Sequence, residues 1–220
     1  MTELKYINKE QNKNLQIKDL ITLGLYTILL VLLMGVGVGL GTLFTSVVFG
    51  GKVYFATYTS VAAALVCGSA YSLIFNKINK NMAIFIMIAI IALFMGISGH
   101  SIVGSITLVI AAMLAEFFYR KGNEYFSYLC FNLGNIGIIL PMFFMKESYI
   151  KHLQGRNYSQ EKIDLVMGST DINTFVFIVI FTVLASFVGI YLGRKLYFKN
   201  FNTEEPKGYI ELLVTYRYNN

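Results

Sequence analysis

The sequence predicts an all-α membrane protein of six transmembrane helices with both termini cytoplasmic. Three observations carry that prediction. Five stretches contain no Asp, Glu, Lys or Arg: Leu20–Gly51, Val53–Asn76, Asn81–Ala115, Tyr125–Met145 and Ile172–Gly193. Each is long enough to cross a hydrocarbon core about 30 Å thick at about 1.5 Å of rise per helical residue. Only 14% of the chain is charged and 56% is hydrophobic, whereas a soluble domain carries about 25% charge. The Lys and Arg residues gather at the ends of these stretches and mainly on one side, as membrane topology requires.

The first helix is predicted over 19–41. Residues 42–52, Gly-rich at their end, either continue it or lie as a loop against the membrane. The second is predicted over 53–76. The third stretch is too long for one helix and has a polar dent at its centre, Gly96–Ile97–Ser98–Gly99–His100–Ser101. A lipid-facing helix does not gather Gly, Ser and His at mid-depth, but a tight hairpin does. Two helices, 82–97 and 102–119, follow. The last two are predicted over 125–145 and 172–193. A cytoplasmic arm (1–18), a membrane domain (19–195) and a cytoplasmic tail (196–220) complete the division.

Charge orients this bundle. Thirteen Lys and Arg lie on the side of the termini: Lys5, Lys9, Lys13, Lys18, Lys77, Lys80, Arg120, Lys121, Arg194, Lys195, Lys199, Lys207 and Arg217. Five lie opposite: Lys52, Lys146, Lys151, Arg156 and Lys162. The positive-inside rule places the thirteen in the cytoplasm. The connection 146–171, about 26 residues long, then faces outward, and connections of that length often serve as lids or binding loops. The net charge of +6 therefore reflects topology, and no nucleic-acid partner is expected.

No P-loop, HExxH, paired CxxC or GxSxG motif is present, so neither ATP hydrolysis nor another enzymatic activity is expected of this chain. Cys67 and Cys130 lie within apolar runs and read as small apolar residues. His100 and His152 fall in different outer connections, and two histidines alone do not define a metal centre. Neither metal nor cofactor is expected. Within the predicted spans the ionisable residue is Glu116, four residues before Arg120 and so on the same helix face. Gly35, Gly37, Gly39 and Gly41 give two overlapping GxxxG spacings, open to intramolecular packing, a flexible helix end or a dimer seam. Asn132 and Asn135, at i,i+3 with Gly134, Gly137 and Pro141 nearby, fit either a cavity wall or interhelical hydrogen bonding. The candidate substrate-binding residues are Lys52, Tyr58, His100, Asn132, Asn135, Tyr149, His152 and Asn173, which converge on the outer side.

Several segments, in order, resemble a known family. They are Leu15–Thr27 (LQIKDLITLGLYT), Tyr71–Lys77 (YSLIFNK), Gly99–His100, Ala115–Gly122 (AEFFYRKG), Gly134–Phe144 (GNIGIILPMFF) and Gly193–Phe201 (GRKLYFKNF). Over about 15–201 the chain resembles the Trep_Strep family of bacterial integral membrane proteins, within the S components of energy-coupling factor (ECF) transporters. The resemblance implies a multi-pass protein of the bacterial cell membrane. It implies capture of a small-molecule micronutrient at the outer face, then docking on a transmembrane T component driven by two ATP-binding subunits. It also implies docking through small residues of the first helix, here Gly24 and Thr27 in place of the AxxxA spacing of many relatives. The alternative from a different class is a stand-alone small-molecule transporter or channel. That reading favours a midplane ionisable residue or an inverted repeat, and the sequence displays neither.

Overall fold

A computed structural model describes residues 14–50, 56–168 and 170–201, and all regular structure among them is helical. Lys52, the arm 1–13 and the tail beyond Phe201 lie outside the described residues. The helices are α1 (Ile17–Phe49), α2 (Ala56–Val66), α3 (Gly68–Lys77), α4 (Ala83–Ile97), α5 (Ile102–Arg120), α6 (Glu124–Ile136), α7 (Leu140–Phe144), α8 (Lys146–Gly155), α9 (Gln160–Gly168) and α10 (Ile172–Phe201). Of these, α1, α5 and α10 are each long and apolar enough to cross a membrane, and the bent pair α2–α3 makes a fourth candidate. The apolar α4 is shorter, at 15 residues.

Residues 42–49 continue α1, which reaches 33 residues, or about 50 Å. Asp19 accepts from the Gln16 amide at 3.0 Å to fix its start, and Gly50 ends it in the left-handed region at φ 59°. The polar dent is a hairpin: α4 ends at Ile97, Gly99 turns the chain at φ 77°, and Ser101 caps α5 by accepting from Val103 N–H. At the opposite end of α4, Glu116 reaches across from α5. Its carboxylate accepts from the amides of Met82 (2.7 Å) and Phe85 (3.3 Å) while pairing with Arg120 at 2.9 Å. The i,i+4 pair read from the sequence is present, and its acid also caps the start of a neighbouring helix. That bond holds Met82 in the left-handed region at φ 67°, a conformation a non-glycine residue adopts at a cost.

The bundle closes as a ring: α1 packs on α2, α2–α3 on α10, α10 on α6, α6 on α5, α5 on α4, and α4 back on α1. Lipid tails are as apolar as the helix surfaces, so close packing and hydrogen bonds hold such a ring, rather than exclusion of water. Glycine sets the tightest crossings. A Cβ at Gly68 would lie 2.1 Å from the Gly189 carbonyl oxygen, one at Gly189 would lie 2.1 Å from that of Ala64, and one at Gly193 would lie 2.2 Å from that of Gly68. The pair Gly189/Gly193 is thus a GxxxG seam within the molecule, as is Gly37/Gly41, which faces Ala63 and Thr59 of α2. Gly35 and Gly39 meet nothing within 4 Å.

The 47° bend between α2 and α3 has a local cause. Tyr128 donates its hydroxyl proton to the Ala64 carbonyl at 2.8 Å, the acceptor that Gly68 would use in an unbroken helix. A side chain entering the backbone ladder in this way bends a helix. Tyr128 belongs to a buried aromatic cluster with Tyr71 and Phe131. Ser127 Oγ donates to Ala115 O at 2.7 Å and accepts from the Tyr71 hydroxyl at 2.7 Å. Every buried hydroxyl in this cluster is therefore matched.

At the same end as Glu116, Glu124 begins α6 fully buried. It pairs with Arg194 of α10 at 2.7 Å and accepts from Asn76 of α3 at 3.4 Å. One carboxylate thereby joins three helices. The sequence reading passed over it because the apolar run begins one residue later, at Tyr125.

Candidate functional site

At the opposite end of the bundle a cavity of about 500 Å³ opens among α1, α2, the α4–α5 hairpin and α6, and the α8–α9 segment covers it. Each wall follows from local sequence. On α1, Val31, Met34 and Val38 give an apolar wall, interrupted by Gly35. On α6, the helix tightens into a 3₁₀ turn after Ile136: Gly137, Ile138 and Ile139 donate to carbonyls only three residues back. Pro141, lacking an N–H, cannot restore the α-helical ladder there. Gly137 also lets α5 approach so closely that a Cβ would lie 1.6 Å from Thr107 Oγ1. This break in the α-helix leaves Ile138 and Ile139 on the cavity beside Asn132 and Asn135.

The cover is held by a second apolar cluster, in which Leu153, Ile163 and Val166 pack on Ile136, Met142, Phe143 and Ile178. Within the outer connection, residues 146–168 are thus folded down mainly as two helices, not extended as a loop. Its polar edge brings Tyr149, His152, Arg156 and Tyr158 to the cavity. Arg156 donates to the Gly99 carbonyl at 3.3 Å and so ties the cover to the hairpin.

The structure assembles five of the eight candidate binding residues on this cavity: His100, Asn132, Asn135, Tyr149 and His152. It places two elsewhere. Tyr58 stacks on Phe49 at 5.8 Å and edges Phe44 at 6.1 Å, filling the α1–α2 interface instead of the cavity. Asn173 stands exposed in the first turn of α10, which Asp171 caps by accepting from Thr174 N–H at 2.9 Å. Lys52 is not among the described residues. Of the two residues read as a docking face, Gly24 meets open space on α1. Thr27 is buried, with its hydroxyl donated to the Leu23 carbonyl at 2.7 Å, so it offers nothing to a partner.

The amides answer the alternative left open by the sequence. Asn132 donates to Tyr128 O at 3.1 Å and Asn135 to Phe131 O at 3.3 Å. Both bonds lie within α6, so neither amide bridges helices. Asn135 Oδ1 is buried with no hydrogen-bond partner. At the mouth, His100 is held below the usual histidine pKa, first by partial desolvation and then by the charge of Arg156, with His152 adding to it. The two histidines do meet on one cavity, yet among the described residues no group of three His, Cys, Asp or Glu is gathered as a metal would require. Arg156, Tyr158, Thr59, Ser60 and the α1 wall were not singled out from sequence. In the sequence Arg156 reads only as a loop charge, and apolar α1 residues look alike whether they face lipid or a cavity.

The arrangement is that of a helical membrane protein with a largely apolar cavity, carrying a few polar groups, under a helical cover at one end of its bundle. The chain belongs to the Trep_Strep family, described as hypothetical bacterial integral membrane proteins, whose model matches residues 17–203. No curated protein and no solved structure matches the chain significantly.

Proposed function

We propose that this protein is the substrate-capture S component of an ECF-type importer. The observation that carries this reading is the covered cavity of about 500 Å³, within the size range of sites that enclose small molecules. Its walls combine apolar side chains with a few convergent amides, imidazoles and hydroxyls. In this reading α1, α2–α3, α4, α5, α6–α7 and α10 form six crossings with both termini cytoplasmic, and the cavity faces outward in the bacterial cell membrane. Glu116, Glu124 and Arg194 then lie at the cytoplasmic end, where they hold helices together.

The captured solute is a micronutrient, and the energy comes from two ATP-binding subunits acting through a T component. Docking uses the open face of α1 around Gly24, without Thr27. Purified protein in liposomes is expected to accumulate or equilibrate no solute from a growth-medium extract, with lumen contents read by mass spectrometry. Uptake appears only when the T component and both ATPases are added with ATP. Solute movement by this chain alone would establish the stand-alone transporter instead.

A further inference from the structure

The chemistry of the cavity walls narrows what they accept. Arg156, His100 and His152 line it, and no Asp or Glu does. The four acids of the covering segment are all off the cavity: Asp164 accepts from Gln160 at 2.8 Å, Asp171 caps α10, and Glu147 and Glu161 are exposed. None of the ion pairs among the described residues includes Arg156. Its bond to the Gly99 carbonyl uses one of five guanidinium donors, and the planar fork suits a carboxylate. Below this basic mouth, Val31, Met34, Ile138 and Met142 form an apolar chamber. Beside them Asn135 keeps a buried carbonyl oxygen without a donor, a state that costs free energy until an N–H or O–H reaches it.

Building on the capture reading above, the geometry points to a small amphipathic acid as the substrate class. Its anionic head lies at Arg156 with His100 and His152, its apolar ring or branched body lies between α1 and α6, and an N–H or O–H donor on that body serves Asn135. A cationic amine has no counter-charge in this cavity and meets three basic side chains at its mouth.

Three matched probes test this on the protein in lipid nanodiscs by calorimetry: indole-3-propionate, indole-3-propionamide and tryptamine. The expected order of affinity is acid, then amide, then amine, with about tenfold or more between first and last. Arg156→Gln removes the advantage of the acid over the amide. Asn135→Leu weakens indole-3-propionate, and methylation of the indole nitrogen weakens it similarly in the wild type.

A bound anion favours charged imidazole. Binding of the acid therefore takes up protons, and its affinity rises from pH 8 to pH 5.5 while the amide stays level. The groups facing His100 are Arg156 and His152, with Tyr149 and Tyr158 on the same cavity, so His100→Gln with His152→Gln flattens the rise. Tryptamine binding as tightly as the acid, or an order unchanged by Arg156→Gln, overturns the assignment. Failure of all three probes also overturns it. The capture reading survives that failure if the protein carries a one-to-one small-molecule adduct from cells in native mass spectrometry, and falls with it if no adduct is present.

Discussion

Gly189→Val is expected to abolish the folded monomer. The new side chain would start 2.1 Å from the Ala64 carbonyl oxygen and 3.0 Å from that of Leu65, so it collides with backbone that cannot rotate aside. Overpacking costs about 1–3 kcal/mol where side chains can shift, and a backbone clash at the α2–α10 crossing lies at or beyond the top of that range. Gly39→Ala is the control, because a Cβ there meets nothing within 4 Å and alanine is the better helix former. Size-exclusion profiles and thermal unfolding by circular dichroism distinguish the two. A Gly189→Val protein that melts with the wild type would show that α10 does not cross α2 at this point.

Arg194→Met carries the second large effect. It leaves Glu124, with a side chain 0% exposed, without its cation at 2.7 Å. Breaking one side of a buried pair costs about 3–5 kcal/mol, whereas replacing both sides with apolar groups is often near neutral. The double variant Arg194→Met/Glu124→Leu is therefore expected to recover most of the stability lost in the single one, since Asn76 keeps its bond to the Ser72 carbonyl at 2.8 Å. Unfolding in mild detergent titrated with dodecyl sulfate measures both. If the double variant is no more stable than the single, the loss comes from the Arg194 guanidinium leaving the rings of Tyr125 and Phe198, and the ion pair is not what holds these helices together.

Neither of these two sites stands out in the sequence, whereas other features do. The α4–α5 hairpin was legible because Gly, Ser and His at mid-span contradict a lipid-facing helix. The amides of α6 stood out as an i,i+3 pair beside Gly and Pro, but that pattern fits a cavity wall and interhelical hydrogen bonding equally. GxxxG spacing located close packing at Gly37/Gly41 but could not show that Gly35 borders a cavity and Gly39 open space. The same spacing at Gly189/Gly193 was present in the sequence and was passed over. Glu124 escaped because a search for uncharged runs discards the residue that bounds them. Tyr58 and Asn173 were misplaced for a related reason. Lying near the outer boundary fixes a residue's depth but not the side of the helix it occupies, and a single residue carries no periodicity to supply that.

In the proposed function, the covered cavity is where this protein holds its substrate. Native mass spectrometry of the purified chain, released from nanodiscs after incubation with a growth-medium extract, tests it most directly against two variants. Gly35→Phe fills the cavity from a position where a Cβ meets nothing within 4 Å, and Gly39→Phe adds the same bulk off the cavity. One small molecule per wild-type chain is expected, retained by Gly39→Phe and lost from Gly35→Phe. A wild-type chain without the adduct, or an adduct that Gly35→Phe keeps, would contradict it.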